Sequence, residues 1–230
     1  MNSPIAIIDA RSPQKAIDKL SEQFRVIPFL TEDITYDAIA GHPDIFFCQG
    51  DTLVVAPNLP NAILKELESN SYTVGETPVG SDVINSTSYN CVVTKSYIIH
   101  KQGHTDKQIL RTNERKNYIS VNQAYTRCNL IAISEGAFIT SDANIQKNLE
   151  SNNCECLFVS PRGIELPPYQ YGFIGGCMGK HGKTIYINGS LANHSEGKAI
   201  ENFIHKHRLD IMELHDGNLY DGGGILFIQQ

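Results

Sequence analysis

The sequence predicts an α/β fold of five ββαβ units, a five-bladed α/β propeller closed by pairing of its N- and C-terminal segments. Three observations carry this. Two short apolar runs separated by a turn precede each amphipathic stretch, and a third apolar run follows it. That order recurs roughly every 40–50 residues, the spacing of a repeat architecture. The two chain ends each hold part of one further unit.

The first complete unit spans about 44–80. DIFFCQG and DTLVVAPN predict a hairpin turning at Gly50-Asp51. Pro60 opens a helix over NAILKELESNS with Ile63, Leu64 and Leu67 on one face, and YTVGETP returns as a strand. The second unit, about 88–125, reads NCVVTKS, YIIHKQG, a helix over HTDKQILRTNERK, then NYISVNQ. The third, about 128–161, reads NLIAISE, GAFITSDAN, a helix over IQKNLESNN, then CECLFVSP. The fourth, about 171–215, reads FIGGCMG, KTIYINGS, a helix over SEGKAIENFIHKHR, then LDIMELH. Ala199, Ile200, Phe203 and Ile204 give that helix a core-facing stripe. The fifth is split: 219–230 supplies a first strand, and 4–30 supplies PIAIIDA, a helix over PQKAIDKLSEQF, and RVIPFL. Pairing the two ends leaves no bare sheet edge at the seam. A doubly wound parallel sheet would place one strand before each helix; two precede each here. The whole chain, 1–230, reads as a single domain.

Composition narrows the function classes. At net charge −6, from 25 acidic against 19 basic residues, the chain lacks the basic excess on which phosphate recognition rests, so no nucleic-acid partner is expected. The densest basic run, RTNERK at 111–116, holds a Glu and reads as a solvated helix end. No stretch approaches the roughly 18 apolar residues of a membrane span. The start, MNSPIAIIDARS, lacks a signal-peptide pattern, so a cytoplasmic protein without membrane contact is expected. The cysteines at 48, 91, 128, 154, 156 and 177 make no C-x-x-C pair and lie mostly in apolar runs, as free thiols of a reducing compartment do. The histidines show no H-E-x-x-H or similar spacing, so neither a metal nor another cofactor is expected. Gly176 to Lys183 approaches a phosphate-loop pattern but belongs to a hairpin.

Closed through its ends, such an array resembles the pentein, or guanidine-modifying, fold. That superfamily holds arginine and agmatine deiminases, dimethylarginine hydrolases and amidinotransferases, and also non-catalytic ribosome anti-association factors. FIGGCMG (Phe173 to Gly179) and LYDGG (Leu219 to Gly223) are similar to phrases of small bacterial members. His42-Pro43-Asp44 is similar to the Arg-Asp segment by which deiminases place a carboxylate on a guanidinium, a planar cation gripped by two parallel hydrogen bonds. Asp221-Gly222-Gly223-Gly224 and the ILFI that follows resemble the terminal strand carrying the agmatine deiminases' nucleophilic cysteine. Here the place of that cysteine falls on Phe227 or Ile228, and neither can attack a guanidinium carbon. The family's His-x-Asp phrase is replaced by Arg127-Cys128-Asn129. The resemblance therefore implies a non-catalytic or catalytically degenerate member that binds a small polar molecule, guanidino or cationic, in its central cavity. Two other readings stay open: a hydrolase of guanidino or amide C–N bonds with a relocated thiol, and a protein- or ribosome-interaction module.

Asp44, Glu135 and Asp221 are the candidate ligand carboxylates, with Gly222 and Gly223 leaving room for a ligand or for close backbone approach. Each has a structural reading beside the functional one: Asp44 as a cap at strand entry, Asp221 as an acceptor of backbone N–H groups in a turn, Glu135-Gly136 as a hairpin turn. Asp142 reads as the cap of the helix that follows it. Cys177 and His181, the only Cys/His pair at short spacing, are the candidate relocated catalytic pair, with Lys180 and Lys183 supplying a cationic field for a thiolate.

Overall fold

Short apolar strands pair in the order the repeat predicts. A computed structural model describes residues 4–67 and 72–228. The end of the first unit's expected helix, beyond residue 67, lies outside the described residues. In the N-terminal segment β1 (Ile5–Asp9) pairs in parallel with β2 (Arg25–Phe29) across α1 (Gln14–Ser21). The helical turn α2 (Pro43–Phe46) then runs straight into the antiparallel hairpin β3 (Phe47–Gln49) and β4 (Leu53–Val55). Next, α3 (Asn61–Glu66) leads to β5 (Tyr72–Val74), parallel to β4.

The same wiring repeats twice more. After α4 (Val83–Thr87), β6 (Val92–Val93) and β7 (Tyr97–His100) form a hairpin, and α5 (Lys107–Thr112) returns the chain to β8 (Asn117–Ser120) beside β7. After α6 (Thr126–Asn129), β9 (Leu130–Ser134) and β10 (Ala137–Thr140) pair, and α7 (Ala143–Ser151) leads to β11 (Glu155–Phe158) beside β10. Asp142 caps α7 by accepting from the backbone N–H groups of Asn144 and Ile145 at 2.8 and 2.9 Å, a contribution of about 1 kcal/mol.

A short strand, β12 (Ile164–Glu165), precedes the fourth repeat: β13 (Met178–His181), β14 (Thr184–Ile187), α8 (Gly197–Lys206) and β15 (Asp210–Glu213). On α8, Ile200, Phe203 and Ile204 are buried, each burial contributing roughly 1.5–3 kcal/mol, whereas Ala199, expected on the same stripe, is exposed. β16 (Leu219–Tyr220) pairs in parallel with β12, a small sheet the repeat does not anticipate. β17 (Leu226–Ile228) then pairs antiparallel with β1, in the register Ile5 to Ile228, Ala6 to Phe227 and Ile7 to Leu226. The two chain ends thus complete a fifth three-stranded sheet with the wiring of the other four.

Two expectations are corrected. The first strands of the first and fourth units start later than the apolar runs suggest. Asp44 lies in α2, because Pro43 presets a helical φ at its first position. Gly175–Cys177 form a 3₁₀ turn, and β13 begins at Met178. First strands of successive sheets approach one another, β3 with β6, β6 with β9, β9 with β13, and β13 with β17. Gln49 links β3 back to β17 by donating to the Phe227 carbonyl at 2.7 Å. Among the described residues no helix is long and apolar enough to cross a membrane.

His100, at the end of β7, has no exposed surface, and its ring bonds the Thr105 hydroxyl and the Ala124 carbonyl at 2.8 and 2.9 Å. Burial lowers its pKa to about 4. The unfolded chain takes up that proton near pH 6.5 and the folded chain resists it until about 4. The associated stability is therefore whole above 6.5 and lost as pH falls through this window, to about 3 kcal/mol. A His100→Gln variant is expected to lose less melting temperature than the parent between pH 7 and 4.5; parallel pH profiles would refute this.

Candidate functional site

The segments entering the first strands converge. Asp44 in α2, Asn90 ahead of β6, Cys128 in α6, Gly176 ahead of β13 and Asp221–Gly223 ahead of β17 meet in one buried cluster. Asn90 holds it together. Its side-chain nitrogen donates to the Asp44 carbonyl and to Cys128 Sγ, both at 3.2 Å. Its side-chain oxygen accepts from the backbone N–H groups of Arg127 and Cys128 at 2.8 and 3.2 Å. Cys128 Sγ in turn donates to Asp44 Oδ2 at 3.1 Å.

Gly223 brings the C-terminal segment against this cluster. Its φ of 70° is left-handed, and a Cβ there would stand 2.3 Å from that of His42, so only glycine fits. Its carbonyl accepts from the Asp44 N–H at 3.4 Å. Asp221 accepts from the backbone N–H groups of Phe173 at 2.8 Å and Gly223 at 3.1 Å. Gly222 donates to the Gly176 carbonyl at 3.1 Å and supports this turn.

Several polar atoms are left over. Asp44 Oδ1 has no hydrogen-bond partner, and neither ring nitrogen of the buried His42 makes a well-formed bond, although the backbone of Asp221 approaches the ring. Donor atoms of His42, Asp44 and Cys128 all lie within 4.8 Å of one another. Burial pushes the carboxyls up, Asp44 to about 6 and Asp221 to about 7, with Arg127 opposing both shifts. Burial also takes His42 down to about 4, and with the Asp44 charge it holds the Cys128 thiol well above its ordinary value. Burial thus favours the neutral forms of these groups, and the Arg127 guanidinium only partly offsets it for the two carboxyls.

Two cavities flank the cluster. One, of about 280 Å³, is walled by Tyr36, Tyr125, Tyr169 and Tyr171 over His42, Cys128 and Asp221. Two of its hydroxyls are bonded: Tyr36 to Tyr125 at 2.6 Å, and Tyr125 to Ser86 at 2.8 Å. The other, of about 230 Å³, is lined from all five first strands, by Gln49, Val92, Ile131, Lys180 and Leu226 among others, and reaches Asp44, Arg127 and Gly223. Arg127 donates from its guanidinium to the Gly175 and Met178 carbonyls at 2.6 and 2.9 Å. Asp44 lines this second cavity, whereas His42, Cys128 and Asp221 line the first.

Of the residues picked from sequence, Asp44, Asp221, Gly222 and Gly223 come together. Glu135 does not. It stands in the β9–β10 turn and accepts from the backbone N–H groups of Lys95 and Ser96 and from the Thr94 hydroxyl, so it holds the neighbouring β6–β7 turn. Glu135→Ala is expected to cost about 1 kcal/mol in urea unfolding, as other side chain-to-backbone caps do, and to leave ligand affinity unchanged. Cys177 and His181 do not meet either. Cys177 is fully buried with its thiol on the Phe173 carbonyl at 3.4 Å, and burial raises its pKa well above the ordinary value. His181 ends β13, packed on Phe24 and Phe227 at 5.1 and 5.4 Å. The intervening strand, at about 3.3 Å per residue, holds the two roughly 10 Å or more apart.

Sequence reasoning passed over Cys128, His42, Asn90 and the four tyrosines. The usable signal was positional: Asn90 and Cys128 open their units as Asp44 opens the first. The tyrosines carry no such signal, since they come from connections of different length.

These features define a protein with the fold of the pentein, guanidine-modifying class, as solved structures show. An agmatine deiminase from C. jejuni matches at a TM-score of 0.60 with 8% identity, over 100% of this chain and 94% of that one. An amidinotransferase of saxitoxin biosynthesis from Microseira wollei matches at 0.59 with 10% identity, over 100% and 95%. A DDAH from Pseudomonas aeruginosa complexed with citrulline matches at 0.55 with 6% identity, over 93% and 92%. The chain itself belongs to a protein family described as a family of unknown function (DUF6873), matched over residues 7–226. No curated protein matches it in sequence.

Proposed function

We propose that the chain is a single-domain, five-bladed α/β propeller whose axial cavity binds a small cationic molecule of guanidino type without the covalent chemistry of its structural neighbours. Closure of the ring is supported by the β17–β1 pairing, by the succession of neighbouring first strands and by the Gln49–Phe227 bond. One observation carries the ligand reading: the buried Asp44 Oδ1 has no partner, in a residue that lines the cavity shared by all five first strands. A guanidinium would supply the missing donors. The C-terminal strand offers no nucleophile where the resemblance to agmatine deiminases would put a cysteine. There Phe227 packs on Phe24 and Tyr186, and Ile228 is buried.

Thermal-shift titration with arginine, agmatine and guanidinium, against urea and lysine as controls, tests this. Stabilisation by the guanidino compounds is expected. Silence across that set overturns the reading.

A second reading has one specific support. Cys128 faces the tyrosine-walled cavity beside His42 and Asp44, so a relocated thiol, if one acts on guanidino C–N bonds, is Cys128 rather than Cys177. Ammonia or urea release that Cys128→Ser abolishes and Cys177→Ser spares would establish it.

A further inference from the structure

We infer that His42, Asp44 and Cys128 form a binding site for a zinc-class divalent cation, with a fourth position open to the tyrosine-walled cavity. The inference stands apart from the ligand reading above, because a metal and a guanidinium would compete for Asp44.

The donor set comes first. One thiol, one imidazole and one carboxylate are the ligand types zinc takes, and the sulfur and nitrogen select against magnesium and calcium. All three residues are buried, and their donor atoms lie within 4.8 Å of one another. Zinc–ligand bonds of about 2.0–2.3 Å give tetrahedral edges of about 3.3–3.8 Å, so a shift of about an ångström closes the site. The Cys128–Asp44 edge, at 3.1 Å, already has that scale.

The unpaired atoms come second. Both His42 ring nitrogens and Asp44 Oδ1 are buried without a hydrogen-bond partner, and buried polar groups in folded proteins almost always have one. A metal supplies the partner for one nitrogen and for the carboxylate. The backbone of Asp221 approaches the ring without a well-formed bond, and a modest rotation would make it the kind of outer partner that orients a ligating histidine. The amide of Asn90 donates to Cys128 Sγ at 3.2 Å and serves the sulfur in the same way.

Charge balance comes third. As the metal–sulfur bond forms, the thiol proton leaves to bulk water. One dication then faces one thiolate, one carboxylate and one neutral imidazole, so the buried assembly carries no net charge. A water completes the tetrahedron on the cavity side.

Cobalt(II) titration of chelator-treated, reduced protein is the test, because cobalt reports thiolate ligation by charge-transfer absorption. One equivalent is expected to bind with that absorption and with tetrahedral ligand-field bands, and zinc is expected to displace it. Cys128→Ser is expected to abolish the charge-transfer band and weaken binding by more than about 100-fold, beyond the 10–100-fold lost with an outer-shell partner. Cys48→Ser is expected to leave both intact. Cys48 and Cys91, with sulfurs 3.2 Å apart, are the rival thiol pair, and a band that follows Cys48 instead overturns the assignment. Should Cys128→Ser fail to fold, X-ray absorption of the zinc-loaded parent decides. One sulfur with nitrogen and oxygen ligands supports the site; two sulfurs, none, or no stoichiometric binding refutes it.

Discussion

Gly175→Ala is expected to lower the unfolding free energy by about 3 kcal/mol, the upper part of the ordinary overpacking range. A Cβ at Gly175 would stand 2.3 Å from the Arg127 carbonyl oxygen, 2.6 Å from the Leu130 nitrogen and 2.8 Å from the Cys128 carbonyl oxygen. All three are backbone atoms at the entry to β9, where no side-chain rotation relieves the clash. Relief requires α6 to move away from the Gly175–Cys177 turn, and α6 carries Arg127 and Cys128. Urea unfolding followed by circular dichroism measures the loss. Gly136→Ala is the control: a Cβ there meets nothing within 4 Å, and a change within about 0.5 kcal/mol is expected. Equal stability of the two variants would show that the convergence of unit openings is looser than the contacts imply.

Asp44→Asn is expected to weaken guanidino-ligand binding by roughly 10–100-fold, which corresponds to loss of one charge-assisted hydrogen-bonded contact. The substitution keeps shape and the backbone bonds of α2, but leaves a neutral amide where the cation needs a carboxylate. Isothermal titration with whichever guanidino compound gives the largest thermal shift provides the number. Asp142→Asn is the matched control. That side chain caps α7, outside the cluster, and asparagine caps as well as aspartate. Unaltered affinity in Asp44→Asn would move the cationic site to Asp221 or out of the cavity. The same variant removes one donor of the inferred metal site, so the cobalt titration and the guanidino titration should be read separately.

The repeat was legible because hydrophobic periodicity and turn residues act locally. Gly50-Asp51, Pro60 and Asp142 mark turns and helix starts through preferences confined to a few neighbours, and the elements lie where those residues place them. Pairing of the chain ends was legible for a similar reason. A first strand without its unit, and a unit without its first strand, have one economical way to satisfy their edges. Asp44 and Asp221 were legible through the phrases around them.

Chemistry at the centre was not legible in the same way. Cys128 looked like a small apolar residue in a buried run, and its spacing of 84 from Asp44 carries no signal. Only the folding of separate units onto shared contacts brings its sulfur to that carboxylate. Cys177 and His181 show the converse: proximity along the chain suggested a pair, and an extended strand holds the two apart. The amino-acid sequence by itself determined the repeated strand–helix order and the pairing of the ends, because these follow from neighbours and from edge pairing. It did not determine the β12–β16 sheet or the helical turns at Asp44 and Gly175–Cys177. Tertiary structure alone decided which polar atoms meet and which stay unpaired, because that depends on where the unit openings converge.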